Sequence, residues 1–373
     1  MSETLVRIEE VQGRGRALVS SRPLRAGEIV LRDSPILLYS AFPLNRASIK
    51  YCDECFRNLQ SASIVVSCPS CSHHHFCGPN CLSAAMASSH APWVCRALSC
   101  LRECPSLVVE RQVQARFLIG AYNLAVVAPS NFQILSSLQG RGEDEDAAVA
   151  QFLHSIISPL CPPSLVELSV ELTRALLAKD KLNAFGLMEP FNLNEERSVR
   201  AYGVYPKASF FNHDCLPNAC RFDYVDAAAD GNTDIIIRMI HDVPQGREIC
   251  LSYFPVNESY SSRQKRLLGD YGFTCECDRC KVEANWSDHE EEDVVGEAME
   301  QDHDEPMEEE EEVGSDNETD FPHSYFFVRY MCNRNNCWGT LAPLSPSSHA
   351  NILECNVCGN IKNDEVVGVD ADA

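Results

Sequence analysis

The chain has 373 residues, 45% hydrophobic and 23% charged, enough apolar material for more than one cored domain and too much for a disordered polymer. Acids outnumber bases 54 to 31, a formal charge of −23 that speaks against a broad nucleic-acid-binding surface. Eighteen of those acids lie between Asp288 and Asp320, where there is no Lys or Arg, so the remainder is nearly neutral at 36 acids against 31 bases. The opening Met1–Glu10 stretch lacks the basic-then-apolar order of a secretory signal, and no apolar run is long enough to span a bilayer. Twenty cysteines in such a chain point to a reducing compartment and to metal ligation rather than disulfides. A soluble, intracellular, monomeric protein is expected, in the nucleus and/or cytoplasm, without membrane or direct nucleic-acid contact.

In chain order, short strands are predicted first, at Leu5–Ile8, Arg14–Val19 and Glu28–Arg32, the last after the turn signal Arg25-Ala-Gly27. From Tyr51 to Cys95 cysteine and histidine are dense and periodicity is absent, as where metal replaces a core. Helical spacing then dominates over Arg111–Val127 and Ser164–Leu182, whose Leu-rich faces read as packing surfaces. Strands resume after Phe185, clearest at Asp234–Arg238 and Ile249–Tyr253. The acidic stretch lacks apolar surface to offset the entropy of ordering and is predicted to be a disordered linker, with attraction of basic substrates as a sharper alternative.

The first metal cluster comprises Cys52-x2-Cys55, Cys68-x2-Cys71, Cys77-x3-Cys81 and His90-x4-Cys95, four pairs that suit two tetrahedral zinc ions. The neighbouring His73, His74 and His75 are alternatives to His90 as the ligand, but each reads first as a solvent-facing loop histidine. A second cluster, Cys275-x-Cys277-x2-Cys280, is one ligand short, and the heptapeptide Asn212-His-Asp-Cys-Leu-Pro-Asn218 offers Cys215. The third, Cys332-x4-Cys337 with Cys355-x2-Cys358, has zinc-ribbon spacing. About four zinc ions are therefore expected. The remaining Cys100, Cys104, Cys161, Cys220 and Cys250 read as small buried hydrophobes.

The eight-ligand cluster resembles the MYND zinc finger, whose cross-braced arrangement implies Cys52, Cys55, Cys77 and Cys81 on one ion and Cys68, Cys71, His90 and Cys95 on the other. The heptapeptide from Asn212 resembles the NHSCxPN signature of SET-domain protein methyltransferases, with Asp214 in place of serine. Gly246-Arg-Glu-Ile-Cys-Leu-Ser-Tyr253 resembles the GEEIxxxY motif that closes the SET core, and Cys275–Cys280 resembles the post-SET CxCxxC. Gly13-Arg-Gly-Arg-Ala-Leu18 with Ala26-Gly-Glu-Ile29 resembles the opening SET strands. This ordered combination is similar to the SMYD family, and, lacking its long helical C-terminus, is closer in layout to short plant Ash-related SET-domain proteins.

The resemblance implies an α+β chain: a β-rich SET fold split by a MYND finger and a helical insert, followed by a post-SET zinc site and a zinc-ribbon-like module. Its expected parts are 1–50 and 186–256 for the two SET halves, 51–95 for the finger and 96–185 for the insert. Residues 257–282 form the post-SET part, 287–320 the acidic segment and 325–361 the ribbon-like module. The implied activity is S-adenosylmethionine-dependent methylation of lysine in a histone tail or other basic protein, with a protein partner for the MYND finger. Tyr253 is implied as the catalytic residue. Gly13, Arg14, Gly15, Asn183, Asn212, His213, Tyr253 and Phe273 are implied to bind cofactor. Tyr205 and Tyr271 are expected to wall a lysine channel, with Tyr202, Phe210 and Phe211 as further aromatics near the motifs. Such residue types suit an in-line displacement, which needs alignment and a neutral amine, and a dry aromatic channel disfavours the ammonium form. One rival is a non-catalytic adaptor, against which the joint presence of Asn212, His213 and Tyr253 speaks. Another, a zinc hydrolase, conflicts with metal sets that look coordinatively closed.

Overall fold

A computed structural model of the chain describes residues 4–45, 50–104, 107–141, 146–163, 165, 168–192, 198–224, 226, 231–285, 324–346 and 352–363. The expected acidic linker at 287–320 lies outside the described residues. No helix among the described residues is long and apolar enough to cross a membrane.

The chain begins as a hairpin of Val6–Val11 and Gly15–Ser20, paired from Val6↔Ser20 to Val11↔Gly15. Gly13 and Gly15 turn it at φ of +77° and +70°, a region glycine enters at little cost. Ile29–Asp33 forms one edge of a three-stranded antiparallel sheet with Ile235–Met239 at the centre and Ala219–Phe222 beyond. A second such sheet has Val199–Val204 at the centre, flanked by Leu37–Ser40 and Ala184–Met188. Leu18, Leu24, Ile235, Ile237, Met239, Ile249 and Phe211 meet between these small sheets in one buried cluster. Strands far apart in sequence thus build the core jointly, the α+β arrangement expected.

The finger is less irregular than its composition suggests. After the short hairpin Val66–Ser67 and His75–Phe76 it forms helices Pro79–Ala87 and Pro92–Arg102, each with proline in its first turn, where the missing N–H costs nothing. The second carries Trp93, Val94, Leu98 and Leu101 into the helical core, and the Trp93 Nε1–H donates to Asn123 Oδ1 at 2.9 Å. The expected boundary between residues 95 and 96 therefore falls inside a helix, because one helix serves both metal and apolar core. Of the spare cysteines, Cys100 is exposed on this helix, while Cys220 and Cys250 are buried as expected.

Val109–Val127 and Val170–Asn183 are the long helices of the insert, joined by Pro129–Ser137 and Asp146–Ile157. The predicted helix start at Ser164 moves to Val170 because Ser169 caps it, its side-chain oxygen accepting from the Leu172 N–H at 3.1 Å. Phe117, Leu118, Leu153, Ile157 and Leu176 form the insert's core, which continues into the strands through Leu37, Tyr39 and Val204.

The C-terminal module, helix Ser324–Tyr330 and the sheet of Leu341–Pro343, Ile352–Cys355 and Ile361–Asn363, is not an appendage. Phe326, Tyr330, Leu341 and Leu353 share a buried cluster with Cys220, Phe222, Ile236 and Ile240 of the core. Arg238 Nη1 meets Glu354 Oε2 at 2.8 Å, and Tyr224 donates its hydroxyl to the same oxygen at 2.9 Å. Gly27, at φ +79°, lies so close that a Cβ there would sit 2.8 Å from the Ser345 carbonyl carbon. Removing one partner of a buried ion pair strands the other. Glu354→Ala is expected to destabilise the whole chain by about 3–5 kcal/mol. Urea unfolding followed by tryptophan fluorescence checks this, and an unshifted midpoint would make the module energetically separate.

Candidate active site and metal centres

The heptapeptide and the closing motif meet through two residues each. Asn212–His213 pairs in parallel with Cys250–Leu251, in the register Cys250↔Asn212 and Leu251↔His213. The predicted strand Ile249–Tyr253 thus shortens to a two-residue contact. Asn218 clamps it: its Oδ1 accepts from the Cys250 N–H at 2.9 Å, and its Nδ2 donates to the Glu248 carbonyl at 2.8 Å. The Asp214 N–H donates to the Leu251 carbonyl at 3.0 Å.

This register sets Tyr253 against His213, with ring centroids 5.2 Å apart. The Tyr253 backbone N–H donates to His213 Nδ1 at 3.1 Å, and the Tyr253 hydroxyl donates to the Phe211 carbonyl at 2.9 Å. A backbone N–H can only donate, so Nδ1 is the bare nitrogen and the ring proton sits on Nε2. Nε2 lies 3.2 Å from Cys215 Sγ, which therefore receives that N–H. Burial, reinforced by Arg263 and Arg14, holds the His213 pKa down at about 3, so the ring is neutral. Burial also raises the Tyr253 pKa, so its phenol keeps its proton.

Tyr271 packs on Tyr253 at 4.8 Å, and Phe273, partly exposed, lies 6.5 Å from both Tyr271 and His213. The other aromatics do not join them. Tyr205 is fully buried in the strand core, edge-on to Phe185 at 5.5 Å, with its hydroxyl donated to the Thr233 carbonyl. Its surroundings are those of a core residue, not of the expected channel wall. Tyr202 stacks on Tyr39 at 5.5 Å, Phe210 lies under the Arg16 guanidinium at 4.8 Å, and Phe211 is buried.

The glycine turn reaches the same corner. Arg14 Nη2 donates to the His213 carbonyl at 2.7 Å, and its Nε lies 3.2 Å from Glu248 Oε2. The other Glu248 oxygen accepts from Asn212 Nδ2 at 2.8 Å, which fixes the flip of that amide. A Cβ at Gly13 or Gly15 would meet nothing within 4 Å. Asn183 ends its helix buried, its Nδ2 donating to the Gln139 and Lys179 carbonyls at 2.7 and 2.8 Å. That helix packs against the turn Leu267–Tyr271, which carries Tyr271.

Sixteen side chains converge in four groups whose ligand atoms lie within 4.8 Å of one another: Cys52, Cys55, Cys77, Cys81; Cys68, Cys71, His90, Cys95; Cys215, Cys275, Cys277, Cys280; and Cys332, Cys337, Cys355, Cys358. Sulfur separations of 3.5 Å for Cys215–Cys280, 3.6 Å for Cys337–Cys355 and 3.9 Å for Cys68–Cys95 suit a zinc tetrahedron, whose edge is about 3.8 Å when Zn–S is about 2.3 Å. Closed sets of four thiolates, or of three thiolates and an imidazole, are structural zinc ligands, and the two finger groups interleave along the chain. Contrary to the loop reading, His74 is buried, 3.4 Å from Cys71 Sγ, with its ring tilted against His90 at 4.2 Å. Packing between the finger and the Val109–Val127 helix takes it out of solvent.

At the Cys215 group the chain also supplies charge. Buried Arg263 donates to Cys215 Sγ at 3.3 Å and Cys280 Sγ at 3.7 Å, and Glu283 bridges Arg263 and Arg279 at 2.5 and 2.6 Å. These guanidiniums offset the net negative charge of four thiolates on a divalent ion. Sequence reading missed Arg263, Asn218 and Glu248 as functional. Glu248 was visible in the closing motif, whereas Arg263 carries no local signal.

The profile described as SET domain matches residues 15–254. The chain belongs to the SET-domain family. It is 59% identical over 391 aligned residues to "Histone-lysine N-methyltransferase ASHR2" of Arabidopsis thaliana, covering 98% of this chain and 97% of that protein. It is 25% identical over 280 residues to "Histone-lysine N-methyltransferase SMYD3" of Homo sapiens, covering 72% of this chain and 60% of that one. "Histone-lysine N-methyltransferase ASHR1" of Arabidopsis thaliana is also 25% identical, over 73% of this chain and 54% of its own length. The SET-domain match closes at Phe254, directly after Tyr253, so two of the cysteine groups draw ligands from beyond it.

Elemental analysis of the purified chain is expected to give about four zinc ions. Cys215→Ser should lose one of them and weaken binding of S-adenosylhomocysteine, because the same heptapeptide carries Asn212 and His213. A content of two or fewer in folded protein would remove the post-SET and ribbon assignments.

Proposed function

We propose that the chain is an S-adenosylmethionine-dependent protein-lysine N-methyltransferase acting on histone or other basic protein lysines. The observation that carries this reading is the two-residue parallel pairing that brings Asn212, His213 and Tyr253 to one corner, with Tyr271 packed on Tyr253. The likeness to ASHR2 over nearly the full length of both chains supports the same class of substrate.

The residues fit the cofactor. With its Nδ2 held by Glu248, Asn212 presents Oδ1 as an acceptor for an ammonium group. The turn Gly13-Arg14-Gly15, tied to His213 through Arg14, leaves open space for close approach of a ligand to its backbone. Phe273 supplies an aromatic face beside His213. Asn183 is assigned to the same ligand set by its likeness to an asparagine of SMYD relatives, with its Nδ2 engaged by the Gln139 and Lys179 carbonyls. S-adenosylmethionine, when bound, supplies an electrophilic methyl group on a sulfonium.

The chain's own residues then align and desolvate. Tyr253 and Tyr271 form an apolar wall that favours the neutral lysine amine over the ammonium. The Tyr253 proton is committed to the Phe211 carbonyl, so its oxygen offers lone pairs to an amine N–H. A phenol held in this way orients the nucleophile without needing to ionise. Alignment of this kind contributes roughly 7–11 kcal/mol in well-oriented reactions. The two interleaved zinc groups at Cys52–Cys95 form a MYND-type finger that presents a surface to a protein partner.

Tyr253→Phe removes one hydroxyl and keeps the ring. Zinc content and cofactor affinity should stay near wild type, while methyl transfer to core histones falls on the order of tenfold to a thousandfold, felt in turnover more than in binding. Single-turnover transfer of labelled methyl, with mass spectrometry of the labelled peptide, measures it. A wild-type rate would make Tyr253 a core aromatic.

A further inference from the structure

Where the helix Pro129–Ser137 ends, the chain is bound residue by residue to the elements around the Tyr253 corner. Three consecutive carbonyls are taken by side chains from distant segments. Arg16 of the opening hairpin donates to the Ser137 carbonyl at 3.0 Å. Lys179 and Asn183, on the helix Val170–Asn183, donate to the Leu138 and Gln139 carbonyls, each at 2.7 Å. Leu138 is buried in the insert's core, and Gly140 lies so close to the same helix that a Cβ there would stand 3.0 Å from the Lys179 backbone nitrogen. An ordinary surface loop gives its carbonyls to water. Here long side chains take them, and the path from Ser137 to Gly140 is fixed.

Arg141 comes next, and its Nη1 donates to the Gly272 carbonyl at 2.9 Å. A Cβ at residue 272 would collide with that guanidinium, so the contact needs the glycine. Gly272 stands between Tyr271 and Phe273, the rings that pack on Tyr253 and lie beside His213. Their turn belongs to no sheet. Its own N–H groups bond inward, Gly272 to the Leu268 carbonyl at 3.1 Å and Phe273 to the Leu267 carbonyl at 3.3 Å. Those bonds set the shape of the turn but not its place. The zinc group anchors the chain beyond Phe273, at Cys275, and the helix Val170–Asn183 packs on one side. Arg141 ties the middle of the turn to backbone that is itself held.

From this geometry we infer that Arg141 is a positioning residue for methyl transfer. Acting through the Gly272 carbonyl, it holds Tyr271 against Tyr253 and Phe273 beside His213, so that cofactor meets an aromatic corner already formed. The inference rests on the methyltransferase reading of that corner. A single exposed hydrogen bond contributes modestly, so its loss shows in local order and affinity rather than in folding.

The test compares the full zinc-loaded chain with its Arg141→Met variant, which keeps most of the stem and loses the donors. Amide hydrogen exchange without cofactor, read by mass spectrometry, is expected to quicken about threefold to tenfold over Leu267–Phe273 and to stay unchanged over Ile235–Met239. Calorimetric titration with S-adenosylhomocysteine should show affinity weakened by a similar factor, and Arg141→Lys should recover part of both losses. Zinc content and melting temperature should match wild type. Unchanged exchange over the turn, a rise spread over the whole chain, or wild-type affinity despite faster exchange would each overturn the inference. A wild-type chain that fails to bind S-adenosylhomocysteine contradicts the methyltransferase reading instead, and the exchange comparison, made without cofactor, keeps the two failures apart.

Discussion

One imidazole joins the metal chemistry of this protein to its transfer chemistry. His213 accepts the Tyr253 N–H on one nitrogen and gives the other N–H to Cys215, a ligand of the post-SET thiolate group. The ring is buried and neutral, so it acts as a rigid strut with a donor end and an acceptor end. Hydrogen bonds to a ligating sulfur orient the ligand and tune the metal, and here the same ring also orients Tyr253, the aromatic proposed to face the methyl acceptor. Arg263 completes the sulfur's environment, and Glu283 holds Arg263 in place. Displacing the thiolates would therefore move Tyr253, although the metal takes no part in bond making.

The rest of the fold keeps that strut in register. A pairing of two residues on each side cannot hold alone, since isolated short strands are marginal. Asn218 clamps it from one side, and Glu248 with Arg14 binds it to the opening hairpin from the other. Beneath it, the sheet through Ile235–Met239 is covered by the C-terminal module, whose Glu354 holds the Arg238 guanidinium inside the protein. The helical insert closes the opposite flank through Tyr39 and Val204. Segments that look like additions to a SET core thus share its hydrophobic clusters.

Much of this was legible from local spacing. Closely spaced ligand pairs announced metal sites before any fold was known, the resemblance to the MYND finger implied which pairs share an ion, and Cys275–Cys280 lacked one ligand that the Asn212 heptapeptide could supply. Tyr253 stood out by its place in the closing motif. What escaped depends on contacts between distant segments, which leave no periodic trace. His74 is buried where Arg116, Ile119 and Gly120 of the Val109–Val127 helix come up beside the finger, and Tyr205 belongs to the core, its hydroxyl donated to the Thr233 carbonyl. Trp93 and Leu98 carry a helix across the expected finger boundary, since zinc ligands fix only its first turn. Arg263, an ordinary basic residue of a short helix, becomes a sulfur partner through tertiary folding alone.

The strut itself is open to direct observation. A long-range proton–nitrogen correlation spectrum of the histidine rings, with His213 assigned by comparison with His213→Asn, reports which ring nitrogen carries the proton in the zinc-loaded chain. The account predicts a neutral His213 with Nε2 protonated and Nδ1 bare, the tautomer required for Tyr253 and Cys215 to be bridged. A proton on Nδ1 would contradict it, because the ring could then neither accept from Tyr253 nor donate to the zinc-bound sulfur.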